Sequence, residues 1–212
     1  MLFLLDSADL DAARICSTWG WVKGVTTNPT ILAKSSKPAQ KALEDLKKTI
    51  HGPIFYQLTS DSTEKMIEEA RLAHEILKNR LVLKIPATTI GFEACAILSD
   101  KYPCAITSIF SPSQALVANA AGAKYALYYH NRAKRLLENG KDLPDHLVHA
   151  LKGSGTSVIA ASLKSREEVM EACSAGVEIM TTTIDVLKQL TEHNLSNQAL
   201  NDFNESGIGL FD

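Results

Sequence analysis

The chain has 212 residues, with 22 Lys plus Arg against 24 Asp plus Glu, for a formal net charge of −2. A hydrophobic fraction of 45% and a charged fraction of 22% are ordinary for a globular protein, and the near-neutral balance argues against a nucleic-acid partner, which demands a basic excess. A chain this long buries roughly 70% of its unfolded surface without disulfides or a structural metal, and it lacks the roughly 18 consecutive apolar residues of a spanning helix, so no membrane partner is expected.

The start, MLFLLDSADL, is an apolar run that meets Asp6 with no basic region before it. That reads as a first strand, not as a signal peptide, and predicts a cytoplasmic protein. Cys16, Cys95, Cys104 and Cys173 lie far apart with no CxxC pair; they read as buried free thiols, and no metal site is expected. His146 and His149 share a helical face at i, i+3 without a third ligand nearby, the pattern of a solvated helix surface.

Short apolar runs then recur along the chain, each followed by a helical pattern. The runs are Leu2 to Asp6, Val22 to Thr27, Ile54 to Leu58, Leu81 to Ile85, Ala105 to Phe110, Tyr125 to Tyr129, Ser157 to Ser162 and Glu178 to Thr183. Ser62 can cap a helix whose apolar face is Met66, Ala70, Ala73 and Leu77. Ser111 with Pro112 at the first helical position opens another, ending at Gly122. Ser165 with Glu168 three residues on forms a capping box, and Gly176 stops that helix. Eight strands alternating with helices predict a (β/α)8 barrel over residues 1–212, a single domain. Near-continuous apolar strands fit a parallel sheet buried on both faces. A doubly wound open sheet is the rival, but no GxGxxG or GxxxxGK[ST] follows any strand, and GSGTS at 153–157 reads as a flexible turn. Past the eighth strand come two helical patterns, DVLKQLTEH and LSNQALNDFNESG. A barrel does not require the second, and residues 195–212 read as a tail for subunit contacts, with Leu195, Ala199 and Phe203 in a narrow stripe.

In a barrel of this kind the C-terminal strand ends build the active site. Polar residues collect there: Asp6, Thr26, Thr27, Asn28, Gln57, Lys84, Thr107, Ser108, Tyr129, Asn131, Arg132, Ser162 and Lys164. Lys84 is the most informative. Alternation puts it with Val82 on one face of its strand and Leu81, Leu83 and Ile85 on the other. Lysine is seldom fully buried unpaired. Desolvation lowers its pKa from about 10.4 and frees a neutral amine to attack a carbonyl as a Schiff-base nucleophile. The alternative is a structural ion pair with Asp6 across the barrel.

The motifs LLDSAD, GVTTNPTIL, LVLKIPAT, ITSIFSPSQALVANAAGAKY, YYHNR and AASLKS resemble, in order and over nearly the whole chain, those of the small transaldolase family, which includes the fructose-6-phosphate aldolases. The resemblance implies a (β/α)8 barrel and class I aldol chemistry on sugar phosphates, without cofactor or metal, with Lys84 as nucleophile. It gives Asp6 an acid/base or orienting role and Asn28 the hydroxyls of the dihydroxyacetone portion, with Thr26 nearby. Gln57 and Thr107 match positions that hold a catalytic water, and Tyr129 an acid/base of the aldolase branch. Arg132 and Ser162 match phosphate-binding positions, with Lys164 close by and Asn131 beside Arg132 among the substrate-binding candidates.

Family transaldolases carry a carboxylate at the Gln57 position and phenylalanine at the Tyr129 position. The sequence therefore resembles the aldolase branch, with transaldolase as the runner-up and a non-catalytic sugar-phosphate-binding barrel as a rival of another class. The resemblance also implies a homo-oligomer, pentameric or decameric, that exchanges the tail helix between subunits. Four departures stand out. Ala133, Lys134 and Arg135 follow Arg132 and read as a solvated loop. Leu127 is bulky on the face of Tyr129, where it narrows the pocket, Tyr128 replaces a small residue, and His130 points away from the site.

Overall fold

Strands that are apolar on both faces need cover on both sides, and a sheet closed on itself beneath a ring of helices supplies it. The computed structural model describes residues 1–210 and has this form. Eight strands, β1 (Leu2–Asp6), β2 (Val22–Thr26), β3 (Ile54–Gln57), β4 (Leu81–Pro86), β5 (Cys104–Ile109), β6 (Tyr125–Tyr129), β7 (Ser157–Leu163) and β8 (Ile179–Thr182), pair in parallel in chain order. The last returns to the first through Leu2 opposite Ile179 and Leu5 opposite Thr182, which closes the barrel and excludes the open sheet. Each strand lies within one residue of its predicted run.

Around it run α1 (Leu10–Trp19), α2 (Pro29–Ala33), α3 (Ala39–Thr49), α4 (Thr63–Leu77), α5 (Thr89–Leu98), α6 (Pro112–Ala120), α7 (His130–Leu136), α8 (Leu143–Ala150), α9 (Arg166–Ser174), α10 (Ile184–Thr191) and α11 (Asn194–Ser206). The predicted caps form. The hydroxyls of Ser62, Ser111 and Ser165 accept the N–H groups of Lys65, Gln114 and Glu168. The face Met66, Ala70, Ala73 and Leu77 is buried against the sheet. His146 and His149 sit exposed on α8. The stretch after Arg132 differs from the expected loop. It is helix α7, in which Ala133 is fully buried and Lys134 pairs with Glu171 at 2.6 Å.

Alternation divides the strands into two cores. Leu5, Leu83, Ile85, Ile106, Tyr128 and Met180 face the helices, whereas Leu4, Phe55, Val82, Ala105, Leu127 and Ile159 fill the barrel interior as an apolar plug. That plug leaves the C-terminal end of the barrel as the place for polar groups. Leu127 does point the same way as Tyr129, but it belongs to the plug beneath the cavity and does not line it. Tyr128, fully buried on the outer side, meets His130 Nδ1 at 3.0 Å, and His130 Nε2 meets Glu171 at 2.9 Å. His130 thus points away from the site, as alternation predicts.

The tail is a helix over Asn194–Ser206 with no buried residue; Leu195, Leu200 and Phe203 are exposed. Positions 211 and 212 of the predicted tail lie outside the described residues. Among the described residues, no helix is long and apolar enough to cross a membrane.

The turn after β3, which follows Gln57, is held by one carboxylate. Glu69 on α4 accepts from Tyr56 Oη at 2.7 Å, from the Thr59 and Ser60 backbone N–H groups at 3.0 Å each, and from the Ser60 hydroxyl at 2.7 Å. Burial pushes this carboxyl up, and the donors outweigh burial and hold it below its ordinary value of 4.5. Because the folded-state pKa is depressed, the stabilisation is present above the unfolded value and is lost as pH falls through the folded one. Glu69→Gln removes one acceptor oxygen and should cost about 1–3 kcal/mol at neutral pH. Thermal unfolding across pH should show the gap to wild type closing as the medium becomes acid.

Candidate active site

Lys84 projects from β4 into the top of the barrel, one alternation above Val82, and is 2% exposed. Its Nζ donates to the Thr27 carbonyl at 2.8 Å. Burial lowers its pKa from the ordinary 10.5, and the fields of Tyr129 and Asp6 restore part of it. The ion-pair reading is not what forms. Asp6 acts on the amine through its field, while its carboxylate accepts the Thr26 hydroxyl at 2.6 Å. Thr26 Oγ1 also lies 2.6 Å from Thr181 Oγ1. A hydroxyl has one proton to give, so with Thr26 donating to Asp6, Thr181 donates to Thr26. This buried chain fixes Asp6 at the mouth of β1.

The strand register gathers the rest. Gln57 stands opposite Lys84 on β3, and its Oε1 is buried with no protein partner. A buried acceptor of this kind calls for a donor from a bound molecule. Thr107, inward-facing on β5, places Oγ1 3.2 Å from Tyr129 Oη. The Arg132 guanidinium sits 4.8 Å from the centre of the Tyr129 ring, a cation–π contact that orients both groups. Asn28 caps α2 by accepting the Ile31 N–H at 2.9 Å, and the same residue lines the cavity. The turn after β4 is equally constrained: a Cβ at Gly91 would collide with the Pro86 carbonyl, while its N–H reaches Thr88 Oγ1 at 3.0 Å.

Two strand irregularities re-aim serines. The register shifts between Thr107 and Ile109 on β5 and between Ala160 and Leu163 on β7. Within them Ser108 and Ser162 adopt φ of +64° and +60°. That left-handed conformation costs a non-glycine residue roughly 1–2 kcal/mol, and both serines line the cavity.

These residues surround an open cavity of about 1060 Å³. Asp6, Asn28, Gln57, Lys84, Tyr129, Arg132, Ser162 and Lys164 line it, while Thr26 and Thr107 stand behind lining residues. Asn131 does not join them. Its Nδ2 donates to Glu168 at 2.7 Å and its Oδ1 accepts from Arg135 at 3.0 Å, so both ends of the amide are committed away from the cavity. Lys134 and Arg135 likewise turn to Glu171 and Asn131. Sequence reasoning missed Thr181 and Glu168. The inward register of a polar residue in EIMTTT is the signal for Thr181, the same one that singles out Thr26. Among the described residues no cluster of His, Cys, Asp or Glu has the makings of a metal site.

The family model described as transaldolase/fructose-6-phosphate aldolase matches residues 3–209. A probable transaldolase of Symbiobacterium thermophilum is 35% identical over 206 residues, spanning 96% of this chain and 95% of that protein. A probable transaldolase of Kosmotoga olearia is 34% identical, spanning 99% and 100%. Among solved structures, the orotidine 5'-monophosphate decarboxylase of Metallosphaera sedula superposes with a TM-score of 0.63 at 14% identity, over 97% of this chain and 98% of that one. A mandelate oxidase bound to benzoyl-formic acid gives 0.61 at 16% identity, over 85% and 64%. Both likenesses are of fold alone.

The lowered pKa of Lys84 has a direct readout. Reductive methylation with formaldehyde and cyanoborohydride, followed by peptide mapping, should modify Lys84 with a pH profile that levels off below 10.5. A lysine in an unstructured peptide continues to gain reactivity up to roughly 10.4. A Lys84 profile that tracks the peptide would contradict the desolvation argument.

Proposed function

The chain belongs to the transaldolase/fructose-6-phosphate aldolase family, and we propose that it is a class I aldolase that cleaves or forms fructose 6-phosphate, or a close relative, through a Schiff base on Lys84. The observation that carries this reading is an amine buried at the polar end of an apolar barrel, with its ammonium form disfavoured. Neutral Lys84 attacks the ketose C2 carbonyl, and loss of water leaves an iminium. Asp6, steadied by Thr26 and Thr181, takes the proton of the C4 hydroxyl as the C3–C4 bond breaks. The C3–C4 electron pair passes into the iminium to give an enamine, and glyceraldehyde 3-phosphate departs. Tyr129 gives a proton to C3 and regains one from solvent as Asp6 releases its own, water held by Gln57 and Thr107 hydrolyses the iminium, and dihydroxyacetone leaves. Arg132, with Ser162 and Lys164, binds the phosphate, for which a guanidinium fork and a hydroxyl donor are suited. Asn28 holds hydroxyls of the dihydroxyacetone portion. The iminium performs the polarisation that a metal performs in other aldolases, so EDTA should leave activity unchanged.

The second reading is transaldolase, in which the enamine attacks another aldehyde. The relatives named as probable transaldolases favour it. Against it stand Gln57, whose amide orients water without exchanging protons, and Tyr129, whose phenol lies within reach of Thr107.

Four experiments test these proposals. Borohydride with dihydroxyacetone should trap an adduct on Lys84, seen by mass spectrometry and abolished by Lys84→Met; an adduct elsewhere in an active enzyme would overturn the mechanism. Fructose 6-phosphate should be turned over without added erythrose 4-phosphate, and Tyr129→Phe should lower cleavage at least tenfold while trapping persists. Turnover only with the acceptor present establishes the transaldolase instead. The exposed α11 side chains Leu195, Leu200 and Phe203 support a homo-oligomer in which this helix seats on a second copy, and truncation after Asn194 should lower the mass found by light scattering.

A further inference from the structure

The side chains that line the phosphate end of the cavity come from two separate turns. Tyr129 and Arg132 belong to the β6–α7 joint, and Ser162 and Lys164 to the β7–α9 joint. Among the described residues neither cation is fastened by an ion pair of its own: Arg132 rests on the Tyr129 ring, and Lys164 is exposed. What connects the two turns lies behind them, outside the cavity.

Glu168, on the first turn of α9, is 8% exposed. One carboxylate oxygen accepts Asn131 Nδ2 from α7 at 2.7 Å, and the other accepts the backbone N–H of Lys164 at 2.8 Å. In an ordinary capping box this side chain would return to the N–H of the capping serine. Here Ser165 still caps the helix through the Glu168 N–H, but the carboxylate reaches one residue further back. It therefore grips the chain two residues beyond Ser162, whose φ of +60° needs outside support. One turn along α9, Glu171 fastens His130 and Lys134 of the same helix α7. Hydrogen bonds to a charged, poorly hydrated acceptor are the strong ones, and those at Glu168 have their donors on opposite sides of the anion end.

We propose that Glu168, together with Asn131, is a positioning pair that sets the enzyme's preference for phosphorylated over unphosphorylated aldehydes by holding Arg132 in register with the Ser162–Lys164 turn. This rests on the reading of Arg132, Ser162 and Lys164 as the phosphate site. The pair touches neither Lys84 nor the dihydroxyacetone portion, so its loss acts on KM for the phosphorylated aldehyde and leaves Schiff-base formation alone.

The test compares aldol addition of dihydroxyacetone to glyceraldehyde 3-phosphate and to glyceraldehyde. Asn131→Asp sets two carboxylates against each other, and Glu168→Gln, if it keeps the Lys164 N–H, turns its NH2 against that of Asn131. Each should raise KM for the phosphorylated aldehyde tenfold or more, with kcat/KM for glyceraldehyde within twofold of wild type. The double variant carries the same charge as wild type and reverses the hydrogen bond, the introduced amide donating to the introduced carboxylate, so it should recover most of the preference. Asn131→Ala, which removes a single bond, should raise KM severalfold. Wild-type trapping of dihydroxyacetone on Lys84 in each variant reports an intact fold, and Arg132→Met serves as the control. If Arg132→Met abolishes the preference while the single variants keep it, or while the double variant fails to recover it, the positioning role is refuted and the phosphate site stands. If Arg132→Met keeps the preference, the phosphate reading itself falls, and this inference with it.

Discussion

The cost of burying one ammonium group organises this molecule. A charge withdrawn from water costs several kcal/mol unless it is paired, and the barrel gives Lys84 a single backbone carbonyl in place of its hydration shell. The group responds with a pKa below its ordinary 10.5. Stability lost in that burial raises the share of neutral amine, the form that the proposed Schiff-base step requires. The surroundings follow from the same constraint. The interior below Lys84 must be apolar and full, which Val82, Phe55, Leu127 and their neighbours provide. The compensating negative charge must stand back, and Asp6 does so, engaged by Thr26 and close enough to be felt. A direct ion pair would have stabilised the ammonium and silenced it.

The fold was legible because its signals are local and repetitive. Eight apolar runs with capping residues between them are enough to count strands, and the period of two assigns Lys84 and Val82 to one shared face before any contact is known. The helix in place of a loop after Arg132 shows where such reasoning ends. HNRAKRL carries basic residues that suggest a solvated turn, yet Ala133 is buried on the sheet and Lys134 answers two glutamates on α9, far along the chain. No local pattern encodes that partnership.

The site was legible to a similar depth. Asp6, Gln57, Lys84, Thr107 and Tyr129 fall where alternation puts them. Ser108 and Ser162 reach the cavity only because β5 and β7 slip their register, and a bulge leaves no signature in the residue types that bear it. Asn131 misled for a related reason. It is polar and adjacent to Arg132, but the first residues of a helix point in successive directions, and its amide turns outward to Glu168. Glu168 itself reads from sequence as half of a capping box, a local role that its side chain exceeds by one residue and a second helix.

On the proposed mechanism, Tyr129 ties the fate of the enamine to the phosphate end of the cavity. Its hydroxyl faces Thr107, and its ring carries the Arg132 guanidinium. The residue that would deliver the proton is therefore held in place by the residue that would bind the departing aldehyde. While the aldehyde's phosphate occupies Arg132, the enamine and its leaving partner stay together and the C3–C4 bond can re-form. Once it leaves, Arg132 rests on the Tyr129 ring, whose phenol is the proposed acid for C3. A phenylalanine there would preserve the cation–π contact and remove the acid, so the enamine would persist until another aldehyde arrived. On this reading, transfer and cleavage differ by the Tyr129 hydroxyl together with the Gln57 amide, two groups carried by strands of the same barrel.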